Sequence, residues 1–179
     1  MVSRLAQRAS ALSVLALLAA SGCIAAAASA GSPAPPAQAT AGTAQVRVYL
    51  SRDGETRRCD RVFGVRRTVA APAVLAGAMR ALLRGPTASE RRRGYGGWFS
   101  SRTAGMLRGV RLSNGVASID FRDFRRIIPG ASASCGSALL LAQLDRTATQ
   151  FPTVRRAIYS FNGSRKAFYE WIQRSPPRG

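Results

Sequence analysis

Apolar and polar positions alternate with a period of two over residues 46–51, where Val46, Val48 and Leu50 interleave with Arg47, Tyr49 and Ser51. That pattern predicts a half-buried strand. Arg52-Asp53-Gly54-Glu55 reads as a turn, and 61–69 as a second strand. After Pro72 the period changes. Leu75, Met79 and Leu82 fall on one face of a helix, which Arg84-Gly85-Pro86 closes with a cationic last turn, a C-cap glycine and a proline. Residues 87–105 show no sustained period and read as a long irregular loop, with Glu90 beside Arg91–Arg93 marking a solvated helical turn. Two strands, 106–112 and 116–121, meet at Asn114-Gly115, the pair expected at a tight hairpin turn. Residues 127–134 are a connector.

The longest pattern spans 134–161. Leu141, Leu144, Ala148 and Phe151 repeat at 3-4-3 spacing on one helix face, while Gln143, Asp145, Arg146 and Gln150 point elsewhere. Ser132 or Ser134 can cap its start, and Pro152 ends it near 150–151. A strand over 154–161 then runs into an Asn162-Gly163 turn. Residues 167–172 add a short strand or helix, with Phe168, Tyr169, Trp171 and Ile172 covering one edge of the core. The order β-β-α-loop-β-β-α-β with a final short element predicts an α+β two-layer sandwich, a mixed sheet of four to six strands carrying two main helices.

Composition sharpens this picture. An apolar content of 46% supports a real core. Histidine is absent, which removes the commonest general base and metal ligand together with Ser/His and Cys/His nucleophile pairs. Against 27 basic residues stand eight acidic ones, a net charge of +19, and Lys166 is the sole lysine. Nucleic acid, anionic lipid or an anionic wall polymer are the partners such a charge favours.

The N-terminus has an organisation of its own. Residues 1–22 read as a signal peptide, with Arg4 and Arg8 ahead of an uncharged apolar run over 9–20. The run meets Ala20-Ser21-Gly22-Cys23, which resembles a bacterial lipobox and makes Cys23 the lipidated residue; Ala20 stands where leucine is usual. Two alternatives are cleavage after Ala28-Ser29-Ala30, giving a secreted protein, and retention of 9–30 as a membrane helix. Residues 23–44 form the lipidated cysteine and an Ala/Pro-rich linker, reaching on the order of 25 Å as a coil. The folded domain is expected over 45–175. Only Arg4 and Arg8 leave with the signal, so the basic character belongs to the exported part.

Leu82-Leu83-Arg84-Gly85-Pro86-Thr87 followed by Glu90, then 109–121, then 142–154 and Phe161-Asn162-Gly163, are similar in sequence and order to the GerMN domain of sporulation and germination proteins, also found in bacterial envelope lipoproteins. The likeness runs from Val46 to Gly163. It implies an α/β fold related to ring-building motifs, an extracytoplasmic setting on the outer face of the cytoplasmic membrane, and a non-enzymatic role in assembly or envelope attachment. It carries no catalytic residues and no cofactor. One copy is present, where the germination protein has two.

Three sets of residues bear chemistry. Cys59 and Cys135 remain as an even pair once Cys23 is lipidated, which in an oxidising compartment predicts a disulfide; the alternative is two buried thiols. Asp120 and Asp123 form a carboxylate pair that a wall hydrolase would use, although Arg122, Arg125 and Arg126 crowd it and turn or ion-pair roles fit as well. Arg91, Arg92, Arg93 and Arg102 with Tyr95 and Trp98 form the candidate binding loop, able to hold phosphate or carboxylate and stack on sugars; the alternative is a solvated cationic loop whose aromatics dock on the core. The expected function is a lipid-anchored, non-enzymatic envelope binding or assembly module. Its expected partners are anionic lipid, wall polymer or an envelope protein, with self-association also open. No metal and no cofactor are expected, and export argues against nucleic acid.

Overall fold

A computed structural model describes residues 42–54 and 58–177. The expected signal peptide, Cys23 and most of the expected linker lie outside the described residues.

Among the described residues six strands and four helices follow one another: β1 (Thr43–Arg52), β2 (Phe63–Ala70), α1 (Val74–Leu83), α2 (Ala88–Arg92), β3 (Tyr95–Gly96), β4 (Leu107–Ser113), β5 (Val116–Phe121), α3 (Ser134–Ala148), β6 (Arg156–Phe161) and α4 (Arg165–Trp171). The class is α+β, and the strand number is as the pattern suggested. The strands divide between two three-stranded sheets, ordered β2-β1-β3 and β4-β5-β6, instead of lying in one. The first is antiparallel; in the second β4 pairs antiparallel and β6 parallel to β5, with α3 in the crossover.

The alternation in β1 is realised as read: Val46, Val48 and Leu50 are buried while Arg47 faces solvent. Asn114 and Gly115 take positive φ of 49° and 76°, which matches the right-handed twist of the strands they join. Asn162 and Gly163 repeat the device at 50° and 86°, but the chain enters α4 there, started by Ser164, whose Oγ accepts from the Ala167 amide. The last element is therefore a helix.

The buried face of α3 is rotated from the predicted stripe, keeping Leu144 and Ala148 but not Leu141. Leu140, Gln143, Leu144, Thr147 and Ala148 are fully enclosed, whereas Leu141 and Phe151 are only half-buried. The reason lies in β1. Its edge away from β2 is covered by β3 only at Ser51 and Arg52, so the polar side chains of α3 turn inward to satisfy the remaining backbone groups. Ala133 is the N-cap residue of α3, and the Ser132 hydroxyl donates to the Pro129 carbonyl instead of capping the helix. The helix ends at Ala148, slightly ahead of the expected position.

α1 and α3 pack on each other and on β1; α1 also meets β2 and β4, and α3 meets β6, so the two helices connect the sheets. Behind β5 and β6 lies an aromatic core. Phe124 meets Phe161 edge-on at 4.9 Å, and Phe168 and Trp171 of α4 close over them at 5.0 and 5.4 Å from Phe161.

Candidate functional site

Residues 84–105 carry the sequence-predicted binding loop, and they prove more ordered than the pattern suggested. Gly85 has φ of +72°, and a Cβ there would stand 2.2 Å from the Phe99 carbonyl oxygen, so the end of α1 touches the returning chain directly. Pro86 follows, and Thr87 starts α2. The Thr87 Oγ1 accepts from the Glu90 amide at 3.3 Å, while the Thr87 amide donates to Glu90 Oε2 at 2.8 Å, a reciprocal cap.

Glu90 is 4% exposed. The helical turn is present, but it is not the solvated one expected: Arg67 of β2 reaches under α2 and donates from both terminal nitrogens to the carboxylate, one at 2.6 Å. Burial alone would raise the Glu90 carboxyl pKa. Hydrogen bonds from Arg67 and Thr87 and the guanidinium charge outweigh that and hold it below the ordinary value. Leu82–Thr87 and Glu90 thus form one structural joint between α1, α2 and β2.

Beyond α2 the candidate residues separate. Arg91, Arg92, Arg93 and Arg102 face solvent, Arg91 donating to the Pro86 carbonyl at 2.5 Å. Tyr95 lies in β3 with the guanidinium carbons of Arg52 and Arg93 at 5.7 and 5.8 Å from its ring centre, so its π-face already has cationic company. Trp98 is engaged by α3: its indole donates to the Gly136 carbonyl at 3.0 Å and its amide to Gln143 Oε1 at 3.2 Å. Gly136 leaves room for the ring, because a Cβ there would stand 3.0 Å from Trp98 Cζ2, and it also lets the Gly130 carbonyl approach, to which that Cβ would come within 2.3 Å. Phe99 is buried with its ring edge-on to Phe124. The structure therefore joins Arg93 to Tyr95, docks Trp98 and Phe99 on the core, and leaves Arg91, Arg92 and Arg102 apart.

Cys59 and Cys135 are joined as a disulfide with 5.1 Å between Cα atoms, tying the segment before β2 to the first turn of α3. The two aspartates do not converge. Asp120 Oδ1 accepts from Ser160 Oγ and the Gly163 amide at 2.7 and 2.8 Å, and Oδ2 from Arg108 at 2.7 Å. It ties β4, β5 and the end of β6. Asp123 instead takes two hydrogen bonds at 3.0 Å from the Arg125 amide and Nε on one oxygen, and these with the Arg125 charge lower its pKa. Each carboxylate holds its own arginine.

A further polar contact, between α3 and β6, is not visible in the sequence pattern. Tyr159 donates to Asp145 Oδ1 at 2.7 Å, and the Tyr169 hydroxyl accepts from the Tyr159 amide at 3.3 Å. Burial raises the Asp145 pKa in spite of that hydrogen bond. The nearest sequence signal was a carboxylate within a long apolar helix, which the polar-face assignment absorbed.

Taken together, the geometry defines a two-sheet α+β module whose buried Arg67–Glu90 pair serves its architecture. A family model described as sporulation and spore germination (Germane) matches residues 47–166, well over half of the chain, and the chain belongs to that family, which is not a known enzyme family. Among solved structures it is similar to the tandem GerMN domains of the sporulation protein GerM from Bacillus subtilis, with 20% identity and a TM-score of 0.46, covering 74% of this chain and 43% of that one. It is also similar to the first GerMN domain of the same protein, with 17% identity and a TM-score of 0.44, covering 67% and 84%. This chain thus spans less than half of the tandem-domain protein. No curated protein matches the sequence.

Proposed function

We propose that this protein is a lipid-anchored, non-enzymatic module of the cell envelope, with Cys23 as its lipid attachment point and a basic surface that meets an anionic envelope component or a protein partner. The observation that carries the reading is how the charges divide. Glu90, Asp120 and Asp123 are each taken up by a specific arginine, while Arg91, Arg92 and Arg93 on and after α2 have no acidic partner among the described residues. Unspent, solvated guanidinium groups attract anions over a Debye length and are screened by salt. The carboxylate-pair hydrolase reading has no such support, since each aspartate is paired with an arginine of its own.

The test is retention of the tagged full chain in the envelope fraction. Arg91, Arg92 and Arg93 changed together to Ala should loosen retention, with the larger difference at low salt. Retention that is unchanged at every salt concentration removes this flank from the account. Crosslinking in the native envelope, with identification of what is captured, separates an anionic polymer or lipid from a protein partner.

A further inference from the structure

The outer face of the first sheet holds an arrangement that its own stability does not call for. In the β1–β2 register Arg47 stands directly opposite Arg66. The Arg47 amide and carbonyl both point to Gln150, just past the end of α3, and away from β2, which makes this a non-hydrogen-bonded pair, the kind whose side chains approach most closely. Like charges directly opposite on a sheet are destabilising. Neither guanidinium has an acidic partner among the described residues, and both residues are exposed.

The next pair along is Tyr49 opposite Gly64. A Cβ at Gly64 would come within 3.1 Å of Arg47 Cδ and 3.3 Å of Tyr49 Cε1, so the bare glycine leaves room for both side chains to lie across β2. Two recesses flank Tyr49, of about 560 Å³ and 600 Å³. The first is lined by Arg47 and Arg66; the second by Arg146 of α3 together with Arg58 and Arg61 from the segment that the Cys59–Cys135 bridge holds against α3. Among the described residues lining the two recesses Asp60 is the one acid, 3.6 Å from Arg58, and Arg61 lies over the Phe63 ring. Arg146 has no acidic partner among the described residues.

We infer that this cleft binds a linear phosphodiester polymer with a polyol or sugar backbone, one phosphate held by Arg47 and Arg66, another by Arg146 and Arg58, and the intervening unit lying on Tyr49. Guanidinium forks match phosphate oxygens, and one phosphate offers enough acceptors for two of them. Linked anions on both sides of one ring favour a polymer over a single headgroup, because the second contact is made at high effective concentration. The inference rests on the reading above that the basic surface meets an anionic envelope component. It places the specific contact on the β1–β2 face and leaves Arg91–Arg93 a long-range contribution.

The experiment is fluorescence anisotropy of a labelled poly(glycerol phosphate) oligomer titrated with the full chain. Arg47→Gln with Arg66→Gln and Arg146→Gln should weaken binding about tenfold or more, while the charge-matched Arg91→Gln, Arg92→Gln and Arg93→Gln weakens it about threefold or less. Thermal unfolding of the first triple variant should be no lower than that of the parent, since the opposed charges are gone. Gly64→Ala, which changes no charge, should also weaken binding by crowding Arg47 and Tyr49. Inorganic phosphate at matched phosphate concentration and phosphatidylglycerol vesicles should compete poorly. Equal losses in the two triple variants, or competition by phosphate or vesicles as strong as by the polymer, overturn the cleft and leave the broader basic-surface reading in place. A parent chain that binds no labelled polymer at all overturns both the cleft and the polymer as its partner.

Discussion

The Gln150 side chain pairs with both backbone groups of Arg47, its Nε2 donating to the carbonyl at 2.7 Å and its Oε1 accepting from the amide at 2.7 Å. An amide side chain thereby occupies the place of a neighbouring strand. Next along the same edge Thr147 Oγ1 accepts from the Tyr49 amide at 3.2 Å, and Gln143 Nε2 donates to the Tyr49 carbonyl at 3.2 Å. An open strand edge is a template for unwanted pairing, and here a helix closes it with three side chains one turn apart.

Substitutions on this row should be graded by burial. Gln143→Leu strands the Tyr49 carbonyl and the Trp98 amide in the interior and should lower unfolding free energy by about 2–3 kcal/mol. Gln150→Ala, nearer to water, should cost about 1 kcal/mol. Urea titration measures both; equal effects would contradict the role assigned to Gln143.

The Arg67–Glu90 pair predicts an asymmetric response. Arg67→Met leaves a carboxylate with 6% side-chain exposure facing only its Thr87 cap, and should destabilise by about 3 kcal/mol. Replacing both partners by apolar residues of similar size should cost less than that single change. A double-mutant cycle in urea checks the order.

Two carboxylates give stability opposite dependences on pH. The Glu90 pKa is lowered from 4.5, so its contribution is fully present above that value and is lost as pH falls through the lowered folded value. Asp145 is raised from 3.8, so its charged form opposes folding above the raised value and that penalty fades on acidification. Relative to the parent, Asp145→Asn should therefore be more favourable at pH 7 than at pH 4, and Arg67→Met should flatten the acid-side loss. Unfolding midpoints across that range measure both.

Breaking the Cys59–Cys135 bridge, which closes a separation of 76 residues, should lower stability by about 4 kcal/mol by the loop-entropy relation. Guanidinium denaturation of the Cys59→Ser, Cys135→Ser chain against the parent, with and without reductant, tests it. Reductant that leaves the parent unchanged would contradict a structural bridge.

Asp120→Asn should cost about 1–2 kcal/mol, because three contacts from β4, β6 and the 162–163 turn converge on it, while Asp123→Asn should cost less than about 1 kcal/mol at its exposed pair. Envelope retention should follow neither. A loss of function in both variants at unchanged stability would instead revive the hydrolase reading.

Local signals carried much of the fold. The α1 boundary at Arg84-Gly85-Pro86, the Asn114-Gly115 hairpin and the alternation in β1 depend on conformations that a few adjacent residues dictate. What stayed hidden depends on distant partners. Gln143 is buried because Tyr49, 94 positions earlier, presents an unpaired carbonyl, and no helical period records that. Glu90 is buried because Arg67 arrives from another strand. The 87–105 segment hides the short α2 and β3 because elements of five and two residues are too brief to show a period. The binding loop was chosen for its guanidinium and aromatic content. The structure divides that content, spending Trp98 and Phe99 on packing, and assembles Arg47, Arg66 and Tyr49 from a strand pair whose register cannot be read from either strand alone.

The most direct measurement is intact mass analysis, without reductant, of the full chain recovered from fractionated cells. An envelope module of the kind proposed here should be found in the membrane fraction with Cys23 acylated at a new N-terminus and Cys59 joined to Cys135. An unprocessed chain in the cytosol with both of those thiols reduced would contradict it.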